Sequence, residues 1–145
     1  MKFHGGIVRY IFIILALAGI IVSGLALHEH YRTEGIAPCS INDKWDCGVV
    51  NKSDYSMIWK IPVGAIGIAG YLLLGVLGGL RWYRLLALAT LGAMCFSLYL
   101  TYVEARILET WCIYCVISLC IISTITLLAL ATVSINAYKA KRAVA

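Results

Sequence analysis

Residues 110–138 read TWCIYCVISLCIISTITLLALATVSINAY, 29 positions without a charged side chain. Roughly 20 apolar residues in a helix span the hydrocarbon core of a bilayer. This run is longer, so its first turn is expected at the interface. Three further uncharged stretches, 10–27, 61–80 and 85–103, are each near or above the spanning length. The chain of 145 residues is 62% hydrophobic and 13% charged. A soluble domain is roughly half apolar and a quarter charged. The reading is an all-α membrane protein, a four-transmembrane-helix antiparallel bundle in one domain over 1–145. Its helices are expected at about 7–28, 61–80, 84–104 and 110–138. The first run exceeds the roughly 7–15 residues of a signal-peptide core and precedes no clear cleavage site, so it is read as a helix.

Charge gives the orientation. Lys2, Arg9, Arg81, Arg84, Lys139, Lys141 and Arg142 flank one side of the runs. The acids Glu29, Glu34, Asp43, Asp46, Asp54, Glu104 and Glu109 fall on the other. Basic residues mark the cytoplasmic side, so both termini are expected inside and the 28–60 loop outside. The net charge of +5 is a topology signal. It does not form the solvated basic stripe of a nucleic-acid-binding protein. No acid is expected within a membrane run, which disfavours a metal transporter.

The 28–60 outer loop is long enough to be functional. Ser53-Asp54-Tyr55-Ser56 has the chemistry of a helix start, so a short helix is expected from there through Trp59. Pro62 suits the first turn of the second helix, where a missing N–H costs nothing. Gly75 and Gly79, Gly19 and Ser23, and Ala89 and Ala93 are spaced four apart, which allows close helix approach in lipid. Tyr10, Trp82, Tyr83 and Tyr138 on one side, with Tyr31, Trp59, Tyr102 and Trp111 on the other, form an aromatic belt.

Six cysteines carry the chemistry. Cys112 and Cys115 are three apart at the mouth of the last run and share one face of a helix. A thiol at a helix N-terminus feels the positive end of the dipole, which favours the thiolate. Cys39 and Cys47 lie eight apart in the polar loop. On an oxidising side all four suit a redox relay. Two disulfides that brace a loop, or a four-cysteine zinc site, use the same residues. His28, Glu29 and His30 read as polar residues that end the first helix, and His4 as an N-terminal polar residue. Cys95 and Cys120, within apolar runs, are expected to pack as small hydrophobes. Lys60 is expected to snorkel to the outer interface.

Cys39 and Cys47, Ser53, the run Ile61-Pro62-Val63-Gly64-Ala65-Ile66-Gly67, and Trp111-Cys112-Ile113-Tyr114-Cys115 together resemble the vitamin K epoxide reductase family in its bacterial form. The resemblance covers nearly the whole chain. It implies a four-helix membrane oxidoreductase that passes electrons from a thioredoxin-like periplasmic or lumenal protein to a quinone (menaquinone, ubiquinone or vitamin K). Such an enzyme supports disulfide bond formation. Carried over by position, Cys39 resembles the cysteine that meets the partner and Cys47 the one that shuttles to Cys112. Cys115 resembles the cysteine that faces the quinone, and Ser53 the serine that supports the site. Ser118 and Leu119, close beyond Cys115, are expected near the quinone ring.

Two departures bear on substrate. Leu119 stands where vertebrate members have a tyrosine, and Lys60 where they place a quinone-contacting asparagine. Both weigh against the alternative activity, reduction of vitamin K quinone or its epoxide. A non-enzymatic, disulfide-braced tetraspan scaffold is the alternative of another class. Many bacterial members carry a fused thioredoxin-like domain. This chain ends shortly after its fourth run, so its partner is expected in trans, at a bacterial inner membrane.

Overall fold

The structure is a computed structural model that describes residues 3–33, 35–36 and 38–144. Lys2 and Glu34, two of the charges that orient the chain, lie outside the described residues, as does the side chain of His4. The order of elements is α1 (Phe3–Tyr31), α2 (Cys47–Lys52), a 3₁₀ turn (Asp54–Ser56), β1 (Met57–Ile58), β2 (Ile61–Pro62), α3 (Val63–Gly79), α4 (Tyr83–Val103) and α5 (Ile113–Val144). The helix of α4 runs on as a wider π turn over Glu104–Leu108.

Among the described residues, three helical spans are long and apolar enough to cross a membrane: Gly6–Tyr31, Tyr83–Leu108 and Ile113–Ala143. The chain is an all-α integral-membrane bundle with these spans and a shorter fourth helix, α3. At about 1.5 Å per residue its 17 residues fall short of a bilayer core of roughly 30 Å. The cause is local. Ile61 and Pro62, expected in the helix, pair as β2 with β1 in a small antiparallel hairpin. Pro62 therefore sits one residue before the helix as its N-cap, in extended backbone, not in the first turn. The hairpin reverses at Trp59 and Lys60, both in the left-handed region, and both are exposed.

The short helix of the loop also lies elsewhere than the sequence suggested. Asp54–Ser56 makes a single 3₁₀ turn, and the chain is extended by Met57. The helix is α2, and its cap is Asp46, whose carboxylate accepts from the N–H groups of Gly48 and Val49. Satisfying orphan donors in this way is what an N-cap aspartate does. A residue pattern for capping existed at both places, and the carboxylate at Asp46 prevailed.

The bundle packs α3 along α1 and α5 along α4, with α1 also against α5. Phe12, Tyr71, Leu74, Leu86, Ile125 and Ala129 form its buried core. Glycine makes the α1–α3 approach possible. At Gly64 a Cβ would stand 2.8 Å from the backbone nitrogen of Leu27. At Gly19 it would enter the ring of Tyr71. Gly79, expected at a packing face, is at the margin, with Ile13 3.9 Å away. Cys95 and Cys120 do not pack inward as expected: both are exposed on the bundle surface, where an apolar thiol suits lipid.

Candidate redox site

The loop is tied to the bundle mouth by backbone bonds. Trp111 N–H donates to the carbonyl of Lys44 at 2.8 Å, and Asp46 N–H donates to the carbonyl of Trp111 at 3.1 Å. The rings of Trp45 and Trp111 lie 6.4 Å apart. Asn42 Oδ1 accepts from the N–H groups of Lys44 and Trp45 at 3.0 and 3.1 Å, which closes the turn before this strap. Ser40 Oγ donates to Asp46 Oδ1 at 2.6 Å. That bond is the main reason the Asp46 carboxyl lies below its ordinary value; burial opposes it, and the Val49 and Gly48 N–H groups add to the lowering.

The strap carries Cys47 to Cys112. Cys39 and Cys47 form a disulfide with Cα atoms 5.8 Å apart. Cys47 and Cys112 are both fully buried, in one cluster with Cys39 and Val50, and Cys115 packs against it. Cys112 and Cys115 are free thiols. Helix α5 begins at Ile113, later than the sequence suggested. Cys112 is its cap residue, and its carbonyl accepts from Val116 N–H at 3.1 Å. The thiol of Cys112 is shifted below its ordinary value. Hydrogen bonding from the Cys115 thiol is the main cause, with the Cys115 N–H and the Asn51 amide adding to it. Burial and the nearby Glu104 oppose the shift.

Three residues at this site were not singled out for it by sequence reasoning. Asn51, buried on α2, donates its Nδ2 to the Cys47 carbonyl at 2.8 Å and to Cys112 Sγ at 3.4 Å. His30 Nδ1 meets the Asn51 carbonyl at 2.6 Å, so the last turn of α1 supports α2 from below. Glu104 is 2% exposed and accepts the Cys112 N–H through Oε2 at 3.0 Å. The acids were expected outside the membrane runs. Glu104 is instead inside the continuous helical span Tyr83–Leu108, because the π turn prolongs α4 past Val103. An acid eight residues before a C-x-x-C and a lone Asn four residues after Cys47 were the signals in the sequence that could have pointed to Glu104 and Asn51.

A cavity of about 330 Å³ opens below the thiols among α1, α3, α4 and α5. Its wall is mostly apolar, with Phe96, Leu74 and Ile122, and it meets Cys115, Ser118 and Asn51 at the loop end. It falls at the small end of ligand sites, roughly 300–1,000 Å³. Ser118 is on the wall, and its hydroxyl is 2.8 Å from the hydroxyl of Tyr71. Leu119 packs against the bundle core. Ser53 borders a second, smaller cavity together with Cys115, and its hydroxyl donates to the Val50 carbonyl at 2.8 Å. Lys60 is on the hairpin turn, away from either wall.

A buried disulfide beside a buried dithiol, with one thiol of that dithiol on the wall of an apolar chamber, is a layout for moving electrons. The sequence pattern described as the Vitamin K epoxide reductase family matches residues 10–132. That stretch holds Cys39, Cys47, Cys112 and Cys115 and every long helix in whole or in large part. The chain belongs to the vitamin K epoxide reductase family. No individual curated protein matches it. Membership agrees with cysteine pairs positioned for redox chemistry and with the membrane bundle that carries them.

Proposed function

We propose that this family member is a quinone-dependent thiol–disulfide oxidoreductase that supports disulfide bond formation. The observation that carries the reading is the division of labour at the dithiol. Cys112 is sealed in a cluster with Cys47, while Cys115 borders the 330 Å³ apolar cavity. The cavity residues fit a quinone ring: apolar walls for the ring, and Ser118 and Asn51 as hydrogen-bonding groups at one end. A bound quinone supplies a two-electron, two-proton acceptor.

The chain's own residues do the rest. A reduced thioredoxin-like protein, acting in trans, attacks the Cys39–Cys47 disulfide at Cys39, and Cys47 leaves as thiolate. Resolution of that mixed disulfide releases the oxidised partner. With the inner pair already oxidised to a Cys112–Cys115 disulfide by the acceptor, the Cys47 thiolate attacks Cys112, Cys115 leaves as thiolate, and Cys39 resolves the Cys47–Cys112 link, which re-forms Cys39–Cys47; exchange requires this direct sulfur-to-sulfur approach. Electrons thereby collect on Cys112 and Cys115, and Cys115 faces the acceptor. Apolar walls keep water from the side of the thiol that borders the large cavity. Ser53 stabilises the end of α2, which carries Cys47. The basic residues that flank the helix ends away from the loop support a topology with both termini in the cytoplasm and the cysteine pairs on the outer side, which suits a bacterial inner membrane.

The test is quinone reduction by purified protein supplied with a reduced thioredoxin-like protein. Cys115→Ser should abolish turnover. Cys39→Ser should accumulate a Cys47–Cys112 disulfide, identified by peptide mapping. Turnover at the normal rate by Cys115→Ser, or a Cys39→Ser protein that never links Cys47 to Cys112, would overturn the reading.

A further inference from the structure

Glu104 has an unusual position for a carboxylate. It is 2% exposed, its Oε2 holds the Cys112 N–H at 3.0 Å, and its Oε1 is buried without a hydrogen-bond partner among the described residues. No salt bridge joins it among the described residues. A buried carboxylate without a cation is costly and is not retained for stability. Cys115 lines the same small cavity as this carboxylate.

A second cavity, about 30 Å³, joins these groups. Glu104 and Cys115 form one part of its wall, and Asn51, Ser53, Tyr55 and Ser56 another. A water needs roughly 10–15 Å³, and the volume suffices; the rest of the wall is apolar, with Val50, Val63, Leu100, Val103 and Leu108. This cavity leads toward the loop, whereas the 330 Å³ cavity lies between the long helices.

We propose that Glu104 is the proton acceptor of the Cys112–Cys115 dithiol, with the small cavity as its water route to the loop end. The proposal rests on the reading above that this dithiol is oxidised in turnover. Closing a disulfide from two thiols releases two electrons and two protons. The thiolate, not the thiol, is the reacting form. Glu104 takes the proton from Cys115 Sγ and passes it to water in the small cavity, which regenerates the carboxylate. The Cys112 proton leaves by the same water. The electron pair goes to the acceptor, a quinone or a disulfide, which takes up two protons on reduction, so charge and protons balance. The π turn has a function here: it carries the carboxylate at Glu104 and delivers the chain to Cys112 within eight residues.

The test needs no quinone. In the full chain with Cys39, Cys47, Cys95 and Cys120 replaced by Ser, only the dithiol remains. Reaction with 4,4′-dithiodipyridine releases one thiopyridone when the first thiol attacks and a second when the pair closes. The titratable groups facing the carboxylate are Cys112 and Cys115 on the α5 side and Tyr55 from the loop, and all three are retained. Glu104→Gln keeps an oxygen for the Cys112 N–H but cannot accept a proton. It should slow the second release at least tenfold at neutral pH, leave the first no slower, and regain speed as pH rises. Glu104→Asp, with the carboxylate withdrawn by one methylene, should be intermediate and serves if Glu104→Gln fails to fold. Wild-type closure in either variant overturns the proposal. So does equal slowing of both releases with the pH profile unchanged, which marks a structural role. A wild-type dithiol that closes normally here yet is never oxidised by a quinone would sink the proposed function and leave the role of Glu104 to be decided by these rates.

Discussion

Asn51 donates one side-chain N–H to the sulfur of Cys112 at 3.4 Å while its other bond holds the carbonyl of Cys47 at 2.8 Å. A single amide therefore ties the Cys112 sulfur of the bundle to the backbone of the loop cysteine. The geometry keeps the two sulfurs in one cluster before any exchange takes place. It also favours the Cys112 thiolate, because a donor stabilises the charged form.

Removing that donor should make Cys112 less acidic. The shift below the ordinary thiol value has the Cys115 thiol as its main cause and the Asn51 amide as a lesser one. Loss of Asn51 should therefore raise the value without restoring it fully, and the thiolate fraction at neutral pH should fall. A hydrogen bond to a charged group contributes about 1.5–3 kcal/mol, and one at this length less. Alkylation of Cys112 in Asn51→Ala, followed by mass spectrometry at pH 7, should slow roughly three- to tenfold, using about 1.4 kcal/mol per tenfold. An unchanged rate would show that the amide does not act on the sulfur.

Close packing of α1 on α3 should fail at Gly64 and not at a lipid-facing glycine. A Cβ at Gly64 meets the Leu27 backbone nitrogen at 2.8 Å and its Cα at 2.9 Å. Backbone cannot swing aside as a flexible side chain can. Overpacking of this kind costs about 1–3 kcal/mol. Gly64→Ala should lower the thermal midpoint in detergent. At Gly92 an added Cβ meets nothing within 4 Å, and alanine is the better helix former by about 1 kcal/mol. Gly92→Ala should hold or raise the midpoint. Equal midpoints for the two variants would refute the packing argument.

The bundle was legible because apolar runs report burial in lipid one residue at a time. The ends were not. Where α3 begins depends on Trp59 and Lys60 adopting left-handed backbone, a conformation for which neither residue type is a signal. Where α4 ends depends on a π turn that converts Glu104 from an expected loop acid into a buried group. The cysteines were visible because their type and spacing carry the chemistry themselves. Asn51 and Glu104 were not, since their roles come from the loop strap at Trp45 and Trp111, which joins residues far apart in sequence. Ser53 and Asp46 show the same contrast on a small scale. Both have cap chemistry, and only the fold decides that Asp46 caps α2.

That cap gives the loop a dependence on acid. Asp46 accepts from Ser40, Gly48 and Val49 through one oxygen, and its carboxyl lies below the ordinary 3.8, with the Ser40 bond as the main cause. A carboxyl lowered by folding stabilises the fold above its unfolded value, and that support is lost as pH falls through the lower folded value. The Cys39–Cys47 disulfide closes the segment that this cap organises, and Cys39 is 6% exposed. Loosening the cap should therefore open the disulfide to a reductant. Reduction by a water-soluble phosphine, which acts in acid, should be slow and level from pH 7 down to about 4 and should accelerate below that. Asp46→Ala, which removes a cap worth about 1 kcal/mol, should be reduced faster than wild type at pH 7 and should show little further change in acid. A wild-type rate that stays level through pH 2, or an Asp46→Ala rate equal to wild type at pH 7, would mean that this carboxylate does not guard the disulfide. Ser40→Ala separates the parts: it removes the largest cause of the shift and keeps both N–H bonds. It should therefore show part of the Asp46→Ala rise in rate at pH 7 and a smaller further acceleration in acid than wild type.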